Sequence, residues 1–142
     1  MPNWIIYGLI AAFFFALNTI LYKVAQQKGN FSSNYGIFMF GIGVVIVSVV
    51  FFLSKPSFEF EWKYSSLAII AGAVWAIGMI MVAIALSQKA DVARLAPIYN
   101  INTILAVLMG VIFLHEIPDA TQMFRVIVGA ILIVIGAILV SV

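Results

Sequence analysis

The second apolar stretch of the chain decides its fold class. Residues Tyr35 to Leu53 read YGIFMFGIGVVIVSVVFFL and contain no charged side chain. A helix of about 20 mostly apolar residues is long enough to cross the roughly 30 Å hydrocarbon core of a bilayer. The backbone finds no water to bond with at that depth, so it must bond within a helix. Tyr35 to Leu53 is therefore predicted to be a transmembrane helix.

The same criterion selects four further spans along the chain. They are Trp4 to Val24, Ser65 to Leu86, Val92 to Leu114 and Thr121 to Val142. The connections between the spans are short and polar, so consecutive helices are expected to be antiparallel neighbours. The sequence thus predicts an all-α integral membrane protein with five transmembrane helices, in which residues 1–142 form a single domain.

The composition supports this class of protein and excludes several others. Of the 142 residues, 65% are hydrophobic and 8% are charged, whereas ordinary soluble domains have about 45–50% and about 25%. A soluble fold could not cover so much apolar surface with so few charges. The charges are also too sparse for a nucleic-acid-binding surface. Without cysteine, and with a single histidine, we expect no metal site, no cofactor and no enzymatic activity.

Lysine and arginine residues near the span ends hardly distinguish the two sides of the membrane. One side would carry Lys55, Lys63 and Arg125, and the other would carry Lys23, Lys28, Lys89 and Arg94. Because an excess of these residues normally marks the cytoplasmic side, the balanced numbers predict insertion in both orientations. Two opposite copies would form an antiparallel homodimer with the symmetry of inverted-repeat transporters. The alternative is that one charge, or an assembly partner, fixes a single orientation.

Glycine spacing in the last span also indicates a partner helix. Gly129 and Gly136 are seven residues apart, so they share one helical face and permit close approach of another backbone. Gly36 and Gly43 repeat this spacing in the second span. For each pair, the alternative is packing within one subunit.

Several polar and aromatic residues lie inside the spans, where polar groups are expensive and usually face a cavity or another helix. Asn18 and Tyr22 share a face of the first span, and Pro97 is expected to bend the fourth. These groups could line a small-molecule pathway, or they could simply bond helices together, and Arg94 could extend its charge to lipid headgroups. The candidates for the pathway are Asn18, Tyr22, Trp75, Arg94, Tyr99, Asn102 and Thr103.

Short motifs in the last two spans carry a family resemblance. They are LAPIYN at Leu95 to Asn100, VIFLHE at Val111 to Glu116, and a glycine-rich segment that contains Gly129 and Gly136. Together they resemble the end of an EamA-type domain of the drug/metabolite transporter superfamily. The resemblance implies that the chain is one inverted-repeat unit of a ten-helix transporter that works by alternating access.

The small multidrug resistance proteins are similar in a second respect, because their last helix has the same glycine pair at the dimer contact. This similarity implies a dimer contact at Gly129 and Gly136. Those proteins also have a membrane-embedded glutamate in their first helix, and this chain has Phe15 at the corresponding position. Exchange of drug for protons by their mechanism is therefore not expected.

The function expected from these observations is transport of small polar or amphipathic metabolites by a homodimer in the lipid bilayer. A compact chain with no targeting segment suits the cytoplasmic membrane of a prokaryotic cell. One alternative is a non-transporting membrane subunit that stabilises a partner. Another is one half of a heteromeric transporter.

Overall fold

The computed structural model describes residues 3–29, 31–56, 60–116 and 119–141, and in these ranges every regular element is an α-helix. The elements are α1 (Asn3–Gly29), α2 (Ser33–Ser54), α3 (Trp62–Ser87), α4 (Val92–Tyr99), α5 (Asn102–Phe113) and α6 (Ala120–Ser141). Helices α4 and α5 together make one apolar segment, so the described residues contain five segments that are long and apolar enough to cross a membrane. The predicted fold class is confirmed.

Helix α1 extends beyond the first predicted span. It has 27 residues, which makes it roughly 40 Å long, longer than the hydrocarbon core. The sequence prediction ended the span at Val24, where the apolar residues stop. The helix continues to Gly29 because its backbone hydrogen bonds, rather than its hydropathy, decide where it ends. As a result, Gln26 belongs to the helix and not to a loop.

The chain divides into two compact units, residues 1–89 and residues 90–142. In the first unit, α2 packs against both α1 and α3. In the second unit, α4 packs along α6. The contacts of α2 with its two neighbours in the chain agree with the short connections seen in the sequence.

The fourth span is interrupted shortly after Pro97. Proline has no N–H and cannot donate to the carbonyl four residues earlier, which weakens the helix at that turn. Asn100 and Ile101 form a turn between α4 and α5, and the Ile101 N–H donates to the Ile98 carbonyl oxygen at 3.2 Å. Bonds of this three-residue spacing belong to the tighter 3₁₀ geometry. This turn lies three residues after Pro97, and the bend expected at the proline itself stays a prediction.

Gly36 is packed tightly inside the first unit. A Cβ at this position would lie 2.6 Å from Cε2 of Phe31 and 2.7 Å from the hydroxyl oxygen of Tyr22. The close approach that the glycine permits is thus made within the chain. At Gly43, in the same helix, an added Cβ would meet nothing within 4 Å.

The substitution Gly36→Ala is expected to lower the melting temperature of the detergent-solubilised protein. The added methyl group forces Tyr22 or Phe31 to move, and overpacking of this kind costs about 1–3 kcal/mol. The matched control is Gly43→Ala, which should be neutral or should stabilise the helix by about 0.5–1 kcal/mol because alanine is the better helix former. Combining Gly36→Ala with Tyr22→Phe should recover part of the loss. Equal effects of the two glycine substitutions would contradict this packing.

Candidate functional site

Three aromatic rings from three helices of the first unit form a row. The Tyr22 ring of α1 meets the Phe40 ring of α2 with centroids 6.1 Å apart and planes at 88°. Phe40 in turn meets Trp75 of α3 at 5.5 Å and 34°. Both distances lie in the range in which aromatic pairs attract each other. We refer to Tyr22, Phe40 and Trp75 as the aromatic row.

The aromatic row runs from a buried ring to an exposed one. Tyr22 is 7% exposed, whereas Trp75 is 45% exposed although it lies near the middle of α3. Tryptophan is more usual at the membrane–water interface, where its N–H finds water. The row therefore presents the exposed ring of Trp75 near the middle of the membrane, where contact with lipid does not require a tryptophan.

One turn beyond Tyr22, the amide of Gln26 connects all three helices of the first unit. Its Nε2 donates to Ser33 Oγ of α2 at 3.2 Å and to the carbonyl oxygen of Ala83 in α3 at 3.3 Å. Gln26 is only 9% exposed. Polar side chains that bond across helices are a recognised adhesive in membrane bundles.

Two polar atoms beside this connection are buried and have no hydrogen-bond partner among the described residues. They are the hydroxyl oxygen of Tyr22 and Oε1 of Gln26. Leaving a buried polar atom unpaired costs about 1–3 kcal/mol. Thr19, one turn earlier on the same face, avoids this cost because its hydroxyl donates to the Phe15 carbonyl oxygen at 3.0 Å. Both atoms are buried in the packed helices, so a solute could bond to them only if the helices moved apart.

In the second unit, polar residues gather at the break in the fourth span. Tyr99 is the last residue of α4 and is half-buried, while Asn102 begins α5 and is exposed. The Thr103 hydroxyl donates to Asn102 Oδ1 at 3.5 Å. The break separates Tyr99 from this pair, so the three do not share one continuous helical face. Arg94 is exposed on α4.

The glycine pair of α6 is not packed tightly in this chain. Gly129 and Gly136 are half-buried, and a Cβ added to either would meet nothing within 4 Å. The neighbouring residues Ala130 and Ala137 are buried. The face of α6 that carries the two glycines therefore has room for another helix.

Sequence reasoning found some members of the candidate site and missed others. The structure brings Tyr22 and Trp75 together through Phe40, which was not predicted, and it places Asn18 half-buried one turn before Tyr22. Gln26 was missed because it lies beyond the apolar part of its helix. Its spacing of four residues from Tyr22 was the available signal, since residues so spaced share a helical face.

The five apolar segments of spanning length among the described residues, with a few buried polar side chains, define a multi-pass membrane protein. A family model with the description "Sugar transport protein" matches residues 3–142, and the chain belongs to that family. This is a family of membrane transporters, which is not an enzyme class. No curated protein and no solved structure matches the chain.

The family confirms the broader inference drawn from the sequence, that of a membrane transporter with a small-molecule substrate. The finer assignment to the drug/metabolite transporter superfamily stays a prediction. Among the described residues, no group of three histidine, aspartate or glutamate side chains could hold a metal ion.

Replacing Gln26 by leucine is expected to loosen the first unit, because both hydrogen bonds of its amide disappear. Interhelical bonds in membranes contribute about 0.6 kcal/mol each, up to about 1.7 kcal/mol, so the loss should be about 1–2 kcal/mol. The measurement is thermal or denaturant-induced unfolding in mixed micelles. Gln27→Leu is the matched control, because Gln27 is exposed and should tolerate the change. If both variants unfold alike, Gln26 does not hold the helices together.

Proposed function

We propose that this protein carries a sugar across the cytoplasmic membrane, as a homodimer that works by alternating access. The observation that supports this proposal best is the aromatic row, which ends beside two buried polar atoms that have no hydrogen-bond partner within the described part of the chain. The description of the family points in the same direction. The proposal also treats residues 1–142 as a single domain and one inverted-repeat unit, as the sequence predicts.

The chemistry of a sugar suits the aromatic row and its polar neighbours. A sugar ring has hydroxyl groups around its edge, and its C–H bonds form two weakly positive faces. Aromatic rings have negative faces, so Trp75 and Phe40 can stack on a sugar face. Tyr22 and Gln26 can then bond hydroxyl groups. A site that bonds a substrate hydroxyl strongly rejects analogues that lack it, because its own polar groups are then left unpaired.

The distribution of charge favours a neutral substrate. No aspartate or glutamate lies within any of the five predicted spans. Cations within spans are confined to positions near the span ends, where long side chains can reach the headgroups. A neutral sugar is recognised by hydrogen bonds and stacking, which are the interactions available along the aromatic row. Asn18 is a further uncharged group for this purpose.

The broken fourth span gives the second unit a feature common in carriers. Discontinuous helices often border substrate sites in transporters, although at this turn the N–H groups of Asn100, Ile101 and Thr103 stay hydrogen-bonded to the backbone. In this proposal Tyr99, Asn102 and Thr103 line the substrate pathway at the break. Arg94 lies at the start of α4, where it can meet either the substrate or a lipid headgroup.

A second copy is proposed for two reasons. Trp75 is 45% exposed in the single chain, so a sugar stacked on it would contact lipid unless further helices covered it. The face of α6 that carries Gly129 and Gly136 has room for a partner helix. Because the lysines and arginines are almost evenly divided between the two sides, the proposed dimer is antiparallel.

The substrate part of the proposal is tested by sugar uptake into proteoliposomes. A panel of radiolabelled monosaccharides should include at least one that accumulates in a saturable way. For that sugar, Trp75→Ala should lower kcat/KM by about five- to tenfold, the equivalent of one aromatic contact. Trp75→Phe should retain most activity, and Tyr22→Phe should raise KM.

The matched control is Trp62→Ala, since Trp62 is 75% exposed at the start of α3 and lies outside the aromatic row. Its uptake should equal that of the unchanged protein. Equal losses in the Trp62 and Trp75 variants would show that the row does not hold substrate. If none of the panel is transported, a non-transporting subunit or one half of a heteromeric transporter replaces this proposal.

The dimer is tested by disulfide cross-linking, because the chain has no cysteine of its own. In an antiparallel pair of α6 helices, residue 129 of one copy approaches residue 136 of the other. When the Gly129→Cys and Gly136→Cys chains are co-expressed, oxidation of the membranes should therefore give a disulfide between one chain of each kind. A parallel pair would instead link Gly129→Cys chains to each other. That result, or no cross-link at all, would contradict the antiparallel dimer.

A further inference from the structure

A groove lies between α2 and α3 in the first unit. It has a volume of about 240 Å³ and is lined by Ser33, Asn34 and Ile37 of α2 and by Ile80 and Ile84 of α3. None of these residues belongs to the aromatic row, and Ser33 alone contacts the sugar site, through its hydrogen bond from Gln26. The hydrogen bonds of Gln26 lie beside the groove. They connect Gln26 to Ser33 of α2 and to Ala83 of α3, the two helices that form the walls.

The lining of the groove changes from polar to apolar with depth. Ser33 and Asn34 are the first residues of α2, so they lie at the membrane edge. Ile37 is one turn further into the membrane. On the other wall, Ile84 lies close to the end of α3, and Ile80 is one turn deeper. This order matches a lipid, which has a polar headgroup at the surface and an acyl chain below it.

Two lysines of the first unit lie at the helix ends where the groove opens. Lys28 lies in the last turn of α1, and Lys89 follows the end of α3 at the same membrane edge. Glu59 and Glu61 lie in the connection at the opposite end of α2 and α3, and the acidic residue nearest to Lys89 in the sequence is Asp91, at the start of α4. Basic residues beside pockets between transmembrane helices attract anionic headgroups.

We propose that this groove binds one anionic phospholipid. Its phosphate lies at Ser33 and Asn34 within reach of Lys28 and Lys89, and one acyl chain follows Ile37 and Ile80 into the membrane. The inference does not depend on which solute the protein carries. The bound lipid would hold α2 and α3 together along the side of their contact that faces the bilayer.

The test uses the full chain in nanodiscs with a phosphatidylglycerol that carries a photoreactive diazirine in one acyl chain. A phosphatidylcholine with the same diazirine serves as the zwitterionic probe. After illumination, tandem mass spectrometry assigns the labelled residues. The anionic probe should label Ile37, Ile80 and Ile84 well above Ile70, which is exposed on α3 outside the groove. The zwitterionic probe should label the three groove residues and Ile70 to the same extent.

Three substitutions make the test specific. Ile80→Trp fills the groove and should abolish the selective labelling, whereas Ile70→Trp should leave it unchanged. Replacing Lys28 or Lys89 by glutamine should weaken the selectivity by about fivefold for each lysine, while Lys63→Gln at the opposite end should not. Melting of each variant checks that the helices remain packed.

Other results would overturn the proposal. Equal labelling of Ile80 by the two probes would show that ordinary bilayer lipid covers the groove without selection. Loss of labelling on addition of sugar would make the groove part of the transport site. Cross-linking of Ile80 or Ile84 to another copy of the chain would make it a dimer contact.

Discussion

The side-chain amide of Gln26 is the interaction on which the first unit depends. In lipid, apolar side chains gain little by leaving the bilayer, so helix association relies on packing and on polar bonds between helices. One Nε2 group reaches both α2 and α3, and it fixes the depth of α1 relative to both neighbours. The aromatic row begins one helical turn from Gln26, toward the middle of the membrane. The hydrogen bonds of Gln26 therefore help to set the relative positions of the three rings.

The same arrangement pairs some polar atoms of the first unit and leaves others unpaired. The nitrogen of Gln26 is fully engaged, whereas its oxygen and the nearby Tyr22 hydroxyl have no partner among the described residues. Gly36 brings α2 so close to Tyr22 that no larger residue fits there. The first unit is thus tightly packed where its helices meet, and it holds two unpaired polar atoms at that contact. A carrier needs both properties, since a site that satisfied all of its own polar groups would have nothing to offer a solute.

The fold followed from the sequence because bilayer thickness imposes a simple rule on hydropathy. All five spans were predicted, whereas the turn at Asn100 and Ile101, three residues after Pro97, was not. The candidate site was harder to predict. A span predicted from hydropathy ends where polar residues begin, so Gln26 fell outside the first predicted span. Phe40 is one of many phenylalanines in the sequence, and only the packing of the helices shows that it contacts Tyr22 and Trp75. Trp75 was found because a tryptophan in the middle of a span is unusual in itself.

The break in the fourth span also affects how the protein enters the membrane. Helix α4 has eight residues and α5 has twelve, so neither piece alone can cross a bilayer that requires about 20. Together they form the least apolar of the five spans, and α4 packs along α6, which is synthesised afterwards. The fourth span therefore gains its contacts with α6 only after α6 has been inserted, so the segments of the second unit assemble together.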